Sequence, residues 1–578
     1  MRVALDTESA RESKRDEPVA AYGPPRPRGP IDLALDANEG RVDAPFVSEV
    51  MRAIGADAFS RYPNASRLEA LIADRHGVEP ERVIVTAGGD EAIDRLLRAT
   101  LNLNDEVIVP SPSFVMIEKY ARMSGGRLVE VDWSPGTPYP LDEVIARINE
   151  RTRVIAVVSP NNPTGAVATI DELRAVSIAA PNATLLVDLA YAEFAEVDLT
   201  EAALSLPNAV VVRTFSKAFG LAGLRVGYAI GPADLVQRMR ARGGPFPVSG
   251  VSLAVVEQVL RSPASTIRER VERIRRERDA LIATLRELGA EAWESQGNFV
   301  LARFPDADWV WRALSGLGIA TRKFEGDDRL RDCLRITLPG DDDDFARLIG
   351  ALRAAIEPEA ILFDLDGVLA EVTGSYRVAI THTAAAFGVE VTAADIARVK
   401  AAGDANNDWI VTQRLIESKG SSADLSEVTE QFESFYQGTT SATGLRDRER
   451  LIPSRALLER LATRLPIGIV TGRPRADAEY FLRRAGIDDL LSALVCMEDA
   501  PAKPDPAPIR EALDRLGVSR AWMVGDTPDD LVAARRAGVV PIGYLDSTAD
   551  TRVARESLES NGAARVLVRL DELEEMWS

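Results

Sequence analysis

Cysteine and lysine are both scarce in this 578-residue chain. Its two cysteines, Cys333 and Cys496, lie far apart with no C-x-x-C pair, so neither a disulfide framework nor a thiolate zinc site is indicated. A reducing cytoplasm fits that usage. Long apolar stretches are missing too. Runs such as Val154 to Val158 are strand-sized, far short of the roughly 20 residues that cross a bilayer. Residues 8–17 (ESARESKRDE) are charged where a secretory signal needs an apolar core, so no signal peptide is expected. Basic charge is outnumbered, with 69 Lys+Arg against 89 Asp+Glu and a net charge of −20, which argues against nucleic-acid partners. Only seven of those cations are lysine (14, 119, 217, 323, 400, 419 and 503), so each lysine asks for a chemical reason.

What remains is ordinary globular composition, and at roughly 100–200 residues per domain the length predicts about four folding units. Residues 1–30 are charged and then proline-rich, a composition that buries too little apolar area to offset ordering, and are expected to form a disordered tail. From there to about 230, β-branched runs alternate with amphipathic stretches: RVIVT (82–86), EVIVP (106–110), RLVEV (127–131), RVIAVV (153–158), TLLVD (184–188), AVVVRT (209–214) and RVGYAI (225–230). The pattern predicts a large parallel-type α/β sheet. Residues 251–356 read as a smaller α+β domain, in which the acidic run Asp341 to Asp344 opens a helix rather than a cation site. After Glu357-Pro358-Glu359-Ala360 a second α/β core starts directly, with strand-like ILF (361–363), PIGIVT (466–471) and AWMVG (521–525); residues 372–455 form a helical insertion. No internal repeat is present.

Lys217 follows a buried-type strand in RTFSKAFGLAGLR (213–225), between the hydroxyls of Thr214 and Ser216 and eight residues before Arg225. Schiff-base chemistry needs a primary amine, which arginine cannot supply, and strand ends are where α/β sheets deliver active-site groups. Asp188 ends another such strand, with Tyr191 three residues on; an acid there keeps a pyridinium nitrogen protonated. SPNNPTG (159–165) offers Asn162, and TAGGDEA (86–92) sets glycines at a helix start, an anion cradle suited to phosphate.

In this order the motifs are specific, and residues 31–356 resemble the fold type I pyridoxal-phosphate-dependent aminotransferases, most closely the histidinol-phosphate aminotransferase family. The resemblance runs through LALDANEG (33–40), RYPNASRLEALIADRHGV (61–78), SPNNPTG, VDLAY, RTFSKAFGLAGLRVGY and CLRITL (333–338). It implies a large domain over about 45–250 and a small one over about 251–356 with the N-terminal segment. Lys217 would carry pyridoxal 5'-phosphate as a Schiff base and then act as general base. Asp188 would pair with the ring nitrogen, Tyr191 and Asn162 with the ring hydroxyl oxygen, and Phe114 would stack on the ring. Gly89, Asp90, Thr214, Ser216 and Arg225 would hold the phosphate. Tyr62 would reach the cofactor phosphate of a second subunit in a homodimer, and Arg335 would grip the substrate carboxylate as a fork.

FDLDGVL (363–369) ends an apolar strand with Asp364 and Asp366, usable together only where the strand breaks, which Gly367 permits. Thr471, Lys503 in AKPDP, and Asp526 and Asp530 in MVGDTPDDLVAARRAG follow in order. Residues 360–578 resemble the haloacid dehalogenase (HAD) superfamily of phosphohydrolases, in its helical-cap subclass. By that resemblance Asp364 is the nucleophile, Asp366 the general acid/base, Thr471 and Lys503 bind the phosphoryl group, and Asp364, Asp366, Asp526 and Asp530 surround Mg²⁺. The cap motif GDANNDW (403–409) either faces substrate or caps a helix.

The expected whole is therefore an α/β chain: a PLP-transferase fold type I (large α/β domain plus small α+β domain) followed by a HAD-like Rossmannoid domain with a helical cap. Small-molecule amino acids and phosphate esters are its expected partners. The two halves together imply an amino phosphate made by transamination and then hydrolysed, the adjacent steps of histidine biosynthesis that yield histidinol phosphate and histidinol. A pyridoxal-phosphate aminotransferase or decarboxylase joined to a HAD phosphatase and acting on another amino acid or amino phosphate in specialised metabolism is the alternative. A cofactor-sensing regulator would need a basic DNA-binding segment, and neither the first 30 residues nor the charge of −20 suits one.

Overall fold

The computed structural model describes residue 23 and residues 25–576 apart from 43, 263, 402–406, 440–441 and 546–550. Most of the expected tail, residues 1–22 and 24, thus lies outside the described residues. The chain packs as two compact units, one carried by Leu35–Pro305 and Arg322–Phe345, the other by Arg26–Ala34, Asp306–Thr321 and Ala346–Ser578.

The first unit is built on a seven-stranded sheet in the order Val83–Thr86, Gly227–Ile230, Ala209–Thr214, Thr184–Asp188, Thr152–Val158, Glu106–Ser111, Arg127–Asp132. Both faces are covered, which is why the strands read as continuous apolar runs. Side chains alternate between two separate cores: Val154, Ala156 and Val158 enter one, Ile155 and Val157 the other. The sheet is mixed, not wholly parallel as its pattern suggested, because Gly227–Ile230 runs antiparallel to both neighbours. Residues 215–226 before it hold only one short helical turn, Ala222–Leu224, so no crossover helix carries the chain back to a parallel start. A smaller antiparallel sheet pairs Phe299–Arg303 with Cys333–Thr337, setting Arg335 opposite Leu301 on one side and Arg322 on the other. The acidic run does cap a helix, with Asp341 Oδ1 accepting from the N–H groups of Asp343 and Asp344.

The second unit holds a six-stranded, all-parallel sheet: Leu491–Val495, Ile467–Val470, Ala360–Phe363, Ala521–Gly525, Val540–Tyr544, Arg565–Leu567. Between its first two strands in chain order lie, among the described residues, five α-helices: Tyr376–Ala386, Ala393–Ala401, Asp408–Ser418 and Leu425–Gln437 in the insertion, then Arg455–Arg464. The insertion leaves and returns through a short antiparallel pair, Ala370–Glu371 with Arg450–Leu451.

This unit also takes in the helix Ala307–Gly316 and most of the helix Asp342–Ile356, which sequence pattern assigns to the preceding small domain. Packing accounts for it. The rings of Trp309 and Trp522 meet edge-on at 4.9 Å, and both are buried. Each indole N–H donates into the end of the same helix, Trp309 Nε1 to Ala355 O at 2.8 Å and Trp522 Nε1 to Ala354 O at 2.9 Å. Gly316 approaches Gly562 so closely that a Cβ would lie 2.9 Å from its carbonyl oxygen. Part of the expected tail joins in: Gly29 sits against the Gly562 backbone and Arg28 pairs with Glu559, while just beyond the tail the Asp32 carboxylate bridges Arg347 and Arg535, each at 2.5 Å. Proline-rich chain loses less entropy on ordering than its polarity suggests. Trp522→Ala is expected to cost about 3–5 kcal/mol through the lost ring and hydrogen bond. Thermal unfolding followed by circular dichroism should show a lowered midpoint, and an unchanged one would refute the seam's role.

Candidate active sites

In the first unit, the carboxyl ends of adjacent strands converge on Lys217. Its loop is pinned from below by Phe215 and Phe219, whose rings pack at 5.0 Å. Lys217 Nζ donates to Ala37 O at 3.0 Å and lies 5.7 Å from the Tyr191 ring centre. Burial, with Arg335 and Arg225 nearby, pulls the amine down to about 8, opposed by Asp90 and Glu39. It therefore becomes a nucleophile at mildly alkaline pH, as suits a carbonyl-binding lysine.

Asp188, the last residue of its strand, is buried, and its Oδ1 accepts from Ala190 N–H at 3.1 Å. Burial pushes the carboxyl up to about 7. A cationic N–H at this spot would relieve that cost, so the residue suits a pyridinium nitrogen. Tyr191 is buried with its ring edge on Phe299 at 5.2 Å, and burial raises its hydroxyl to about 12.

The residues expected to hold the phosphate gather at the start of the helix Gly88–Thr100. Thr214 Oγ1 and Ser216 Oγ are 3.0 Å apart, and Arg225 Nη2 donates to Asp90 Oδ2 at 2.9 Å. Gly88, at φ +83°, has to be glycine: a Cβ there would sit 2.5 Å from Arg225 Nη2. Arg225 itself is held at φ +54°, a conformation costing about 1–3 kcal/mol that places its guanidinium over this helix start. Gly89 follows within the first helical turn.

Arg335 is buried and forks between Asn162 Oδ1 at 2.5 Å and Asp36 O at 2.6 Å. The side chain of Asn162, expected on the cofactor ring, thus contacts the arginine expected to grip the substrate carboxylate. Phe114, Asn162 and Arg335 line a cavity of about 390 Å³ together with Lys119, Arg322 and Lys323. Tyr62 stands apart, 83% exposed and stacked on Phe246 at 4.7 Å. Sequence reasoning missed Asn38. Buried at φ +53°, it donates to Tyr191 Oη at 3.0 Å and accepts from Thr337 Oγ1 at 3.0 Å, tying the segment 36–38 over the lysine. An asparagine in a turn-like DANEG run was the available signal.

In the second unit, Lys503 Nζ donates to Asp364 Oδ1 at 2.7 Å, to Val470 O at 3.1 Å and to Asp530. Asp364, Asp526 and Asp530 each bring one oxygen within 4.8 Å of the others. Three carboxylates against one ammonium leave negative charge uncompensated. Burial, with Asp530 and Asp366 adding, accordingly pushes Asp364 up to about 7 although Lys503 opposes it. A divalent cation relieves that excess, so the donor set fits Mg²⁺. Asp530 also closes a capping box, accepting from Thr527 N–H at 3.1 Å. Thr471 is buried at its strand end, its N–H bonded to Val495 O at 2.9 Å.

Asp366, grouped with those carboxylates on sequence grounds as a metal ligand, is not among the three whose side chains converge. Gly367 turns the chain at φ +80°, and Asp366 Oδ1 instead accepts from Arg473 Nε at 2.8 Å and Nη2 at 2.5 Å. Arg473 is fully buried and was not singled out, although it stands in IVTGRP. Its Nη1 donates to Glu449 Oε2 at 2.9 Å and to Tyr436 Oη at 3.1 Å, joining the strand end to the base of the helical insertion.

A nucleophilic lysine facing a buried strand-end aspartate is the apparatus of a pyridoxal-phosphate-dependent transferase of fold type I, and the carboxylate–lysine cluster is that of a Mg²⁺-dependent hydrolase. Comparison with known proteins agrees. The family model for aminotransferase class I and II matches residues 31–352, and that for haloacid dehalogenase-like hydrolase matches 358–538. The chain belongs to the aminotransferase class I and II family and carries a haloacid dehalogenase-like hydrolase domain behind it. It is 32% identical over 315 residues to a histidinol-phosphate aminotransferase of Thermoanaerobacter pseudethanolicus, covering 54% of this chain and 89% of that one. Over 214 residues, 36% of this chain, it is 48% identical to an imidazoleglycerol-phosphate dehydratase of Phytophthora nicotianae, of whose length it spans about half (47%). The crystal structure of histidinol-phosphate aminotransferase from Sinorhizobium meliloti in complex with pyridoxal-5'-phosphate superposes with a TM-score of 0.53 at 25% identity, over 57% of this chain and 91% of that one.

The lowered Lys217 value makes a direct prediction. Below about pH 8 its amine is protonated and inert; above it the free amine reacts. In cofactor-free protein, acylation of Lys217 followed by peptide mapping should be half-maximal near pH 8, about two units below an ordinary lysine. A midpoint near that of an ordinary lysine would contradict the buried setting.

Proposed function

We propose that the chain transfers an amino group from glutamate to imidazole-acetol phosphate, giving histidinol phosphate and 2-oxoglutarate, and hydrolyses histidinol phosphate to histidinol. The observation that carries this reading is the presence of both complete sets of groups in one chain, Lys217 with Asp188 and Lys503 with the three aspartates. The histidinol-phosphate aminotransferases among the relatives, and a dehydratase whose name places it in the same chemistry, support the substrate.

Bound pyridoxal phosphate supplies the electron sink for a carbanion at the substrate's α-carbon. Asp188 keeps positive charge favourable at the ring nitrogen. Lys217 Nζ, which gives up its own proton near pH 8, takes the α-proton and returns it, held toward the segment 36–38 by its bond to Ala37 O. Arg335 orients the substrate's anionic end as a planar fork. In the hydrolase half, bound Mg²⁺ offsets the charge of carboxylates and phosphoryl oxygens. Asp364 attacks phosphorus while Lys503 and Thr471 hold the phosphoryl oxygens, and Asp366 gives a proton to the departing alcohol. Amino transfer exchanges like for like and is nearly reversible, whereas ester hydrolysis in water draws it forward.

A homodimer belongs to this reading. Tyr62 and Phe246, with Val47, Met51 and Phe59, leave an apolar surface exposed that a second copy would cover. Tyr62→Phe is expected to raise the dissociation constant for pyridoxal phosphate several-fold, read by fluorescence titration, with light scattering reporting a dimer. A monomer that binds the cofactor fully would count against it. The buried, free cysteines accord with a reducing cytoplasm.

The two activities separate by mutation. Lys217→Ala should lower glutamate formation from histidinol phosphate and 2-oxoglutarate by about 10³-fold or more while phosphate release persists, and Asp364→Asn should do the reverse. Loss of both from either change would refute two independent sites. Wild-type protein that forms neither glutamate nor phosphate would move the reading to another amino phosphate.

A further inference from the structure

Asp366 does not set its own direction. Arg473 donates to it through two nitrogens, Nε at 2.8 Å and Nη2 at 2.5 Å, and both bonds fall on one oxygen, Oδ1. Among the described residues no donor meets the other oxygen, Oδ2. The Asp366 side chain keeps 24% of its surface open, against 1% for Arg473. One carboxyl oxygen is thus anchored by a buried group, and the other is left for chemistry.

Arg473 is in turn held through all three of its guanidinium nitrogens. Nη1 donates to Glu449 Oε2 at 2.9 Å and to Tyr436 Oη at 3.1 Å, and Ser375 Oγ fixes that glutamate by donating to its Oε1 at 2.8 Å. The guanidinium packs on the rings of Tyr376 at 4.8 Å and Phe481 at 5.5 Å. Its backbone N–H donates to Thr471 Oγ1 at 3.1 Å, so the group that grips Asp366 rises from the same strand end as the threonine expected on the phosphoryl oxygens. A planar fork with every nitrogen engaged is fixed in direction as a single ammonium is not. Buried ion networks are often no more stabilising than apolar packing of the same volume, so stability alone is a weak reason for this one.

Building on the hydrolase reading above, we propose that Arg473 is a positioning residue for proton transfer: by anchoring Oδ1 it holds Asp366 Oδ2 at the oxygen of the departing alcohol. Arg473 itself touches no substrate. In the first step an Asp364 oxygen bonds to phosphorus as the bond from phosphorus to the alcohol oxygen breaks, and the proton on Asp366 Oδ2 passes to that oxygen. In the second, water bonds to phosphorus, the bond to Asp364 breaks, and Oδ2 takes a proton from the water. An alkoxide leaves readily only with its proton, whereas a nitrophenolate leaves as the anion. The anchoring therefore matters most for a poor leaving group.

The test compares kcat/KM for phosphate release from histidinol phosphate, an alkyl ester, with that from p-nitrophenyl phosphate, in wild type and in Arg473→Gln, with Mg²⁺ present. The variant's loss should be about tenfold or more larger on the alkyl ester than on the nitrophenyl ester. Equal losses on the two esters would show an arginine that only supports the fold, and overturn the proposal. Because Arg473 acts through Asp366, adding Arg473→Gln to Asp366→Asn should cost the alkyl ester less than about threefold more; a second full loss also overturns it. Should Arg473→Gln fail to fold, Arg473→Lys keeps the charge without the fork and should show the same inequality at reduced size, with equal losses again refuting it. Wild type cleaving neither ester is a different outcome: it overturns the hydrolase reading itself, and the proposal with it.

Discussion

A sheet covered on both faces has no room for charge along its length, and that constraint organises both halves of the molecule. Ionised groups can leave such a strand only where it ends. Asp188 and Thr214 stand at the carboxyl ends of neighbouring strands in one sheet; Asp364, Thr471 and Asp526 follow the carboxyl ends of three strands in the other. The loops beyond are then free to bend, as Gly88 and Gly367 do, because they no longer owe their hydrogen bonds to a ladder. Two unrelated chemistries have arrived at the same address for the same dielectric reason.

The two functional lysines show how one side chain is tuned in opposite directions. Lys217 is half-buried with Arg335 and Arg225 nearby, its amine donating to a carbonyl, and desolvation lowers its affinity for a proton. Lys503 is more deeply buried, but Asp364 and Asp530 hold it charged, above the ordinary lysine range. The first is useful because it can be neutral; the second, because it cannot. Asp188 and Asp364, both raised to about 7 by burial, are the carboxylate counterparts, suited in our proposal to a ring nitrogen and a metal. Strongly perturbed buried groups of this kind are enriched at reaction centres, although Glu277, raised to about 7 by burial away from both sites, shows that structure alone can hold one.

Much of this could be read in the chain alone. The strands are apolar runs of the right length, the seven lysines drew attention to 217 and 503, and motif order separated the two halves. What escaped depends on distance along the chain. Asn38 meets Thr337 across 299 positions, and Arg473 finds Asp366 across 107; no local pattern encodes such meetings. The reversed strand Gly227–Ile230 escaped because its residues do not set its direction: the loop before it does. The seam escaped because Trp309 and Trp522, read singly, are ordinary core aromatics. Family patterns also grouped four aspartates by spacing, whereas one turn at Gly367 sends Asp366 to a different neighbour.

That tryptophan seam bears on how such a chain can change over generations. A fused enzyme whose second activity becomes superfluous is ordinarily free to shed the domain that performed it. Here the helix Ala307–Gly316, which precedes the hydrolase in sequence, takes part of its apolar cover from the hydrolase sheet. A lineage that no longer needed phosphate release would keep the second sheet as upholstery for the first enzyme, its aspartates drifting while Trp522 stayed. Descendants of this architecture are therefore better judged by their carboxylates than by their length.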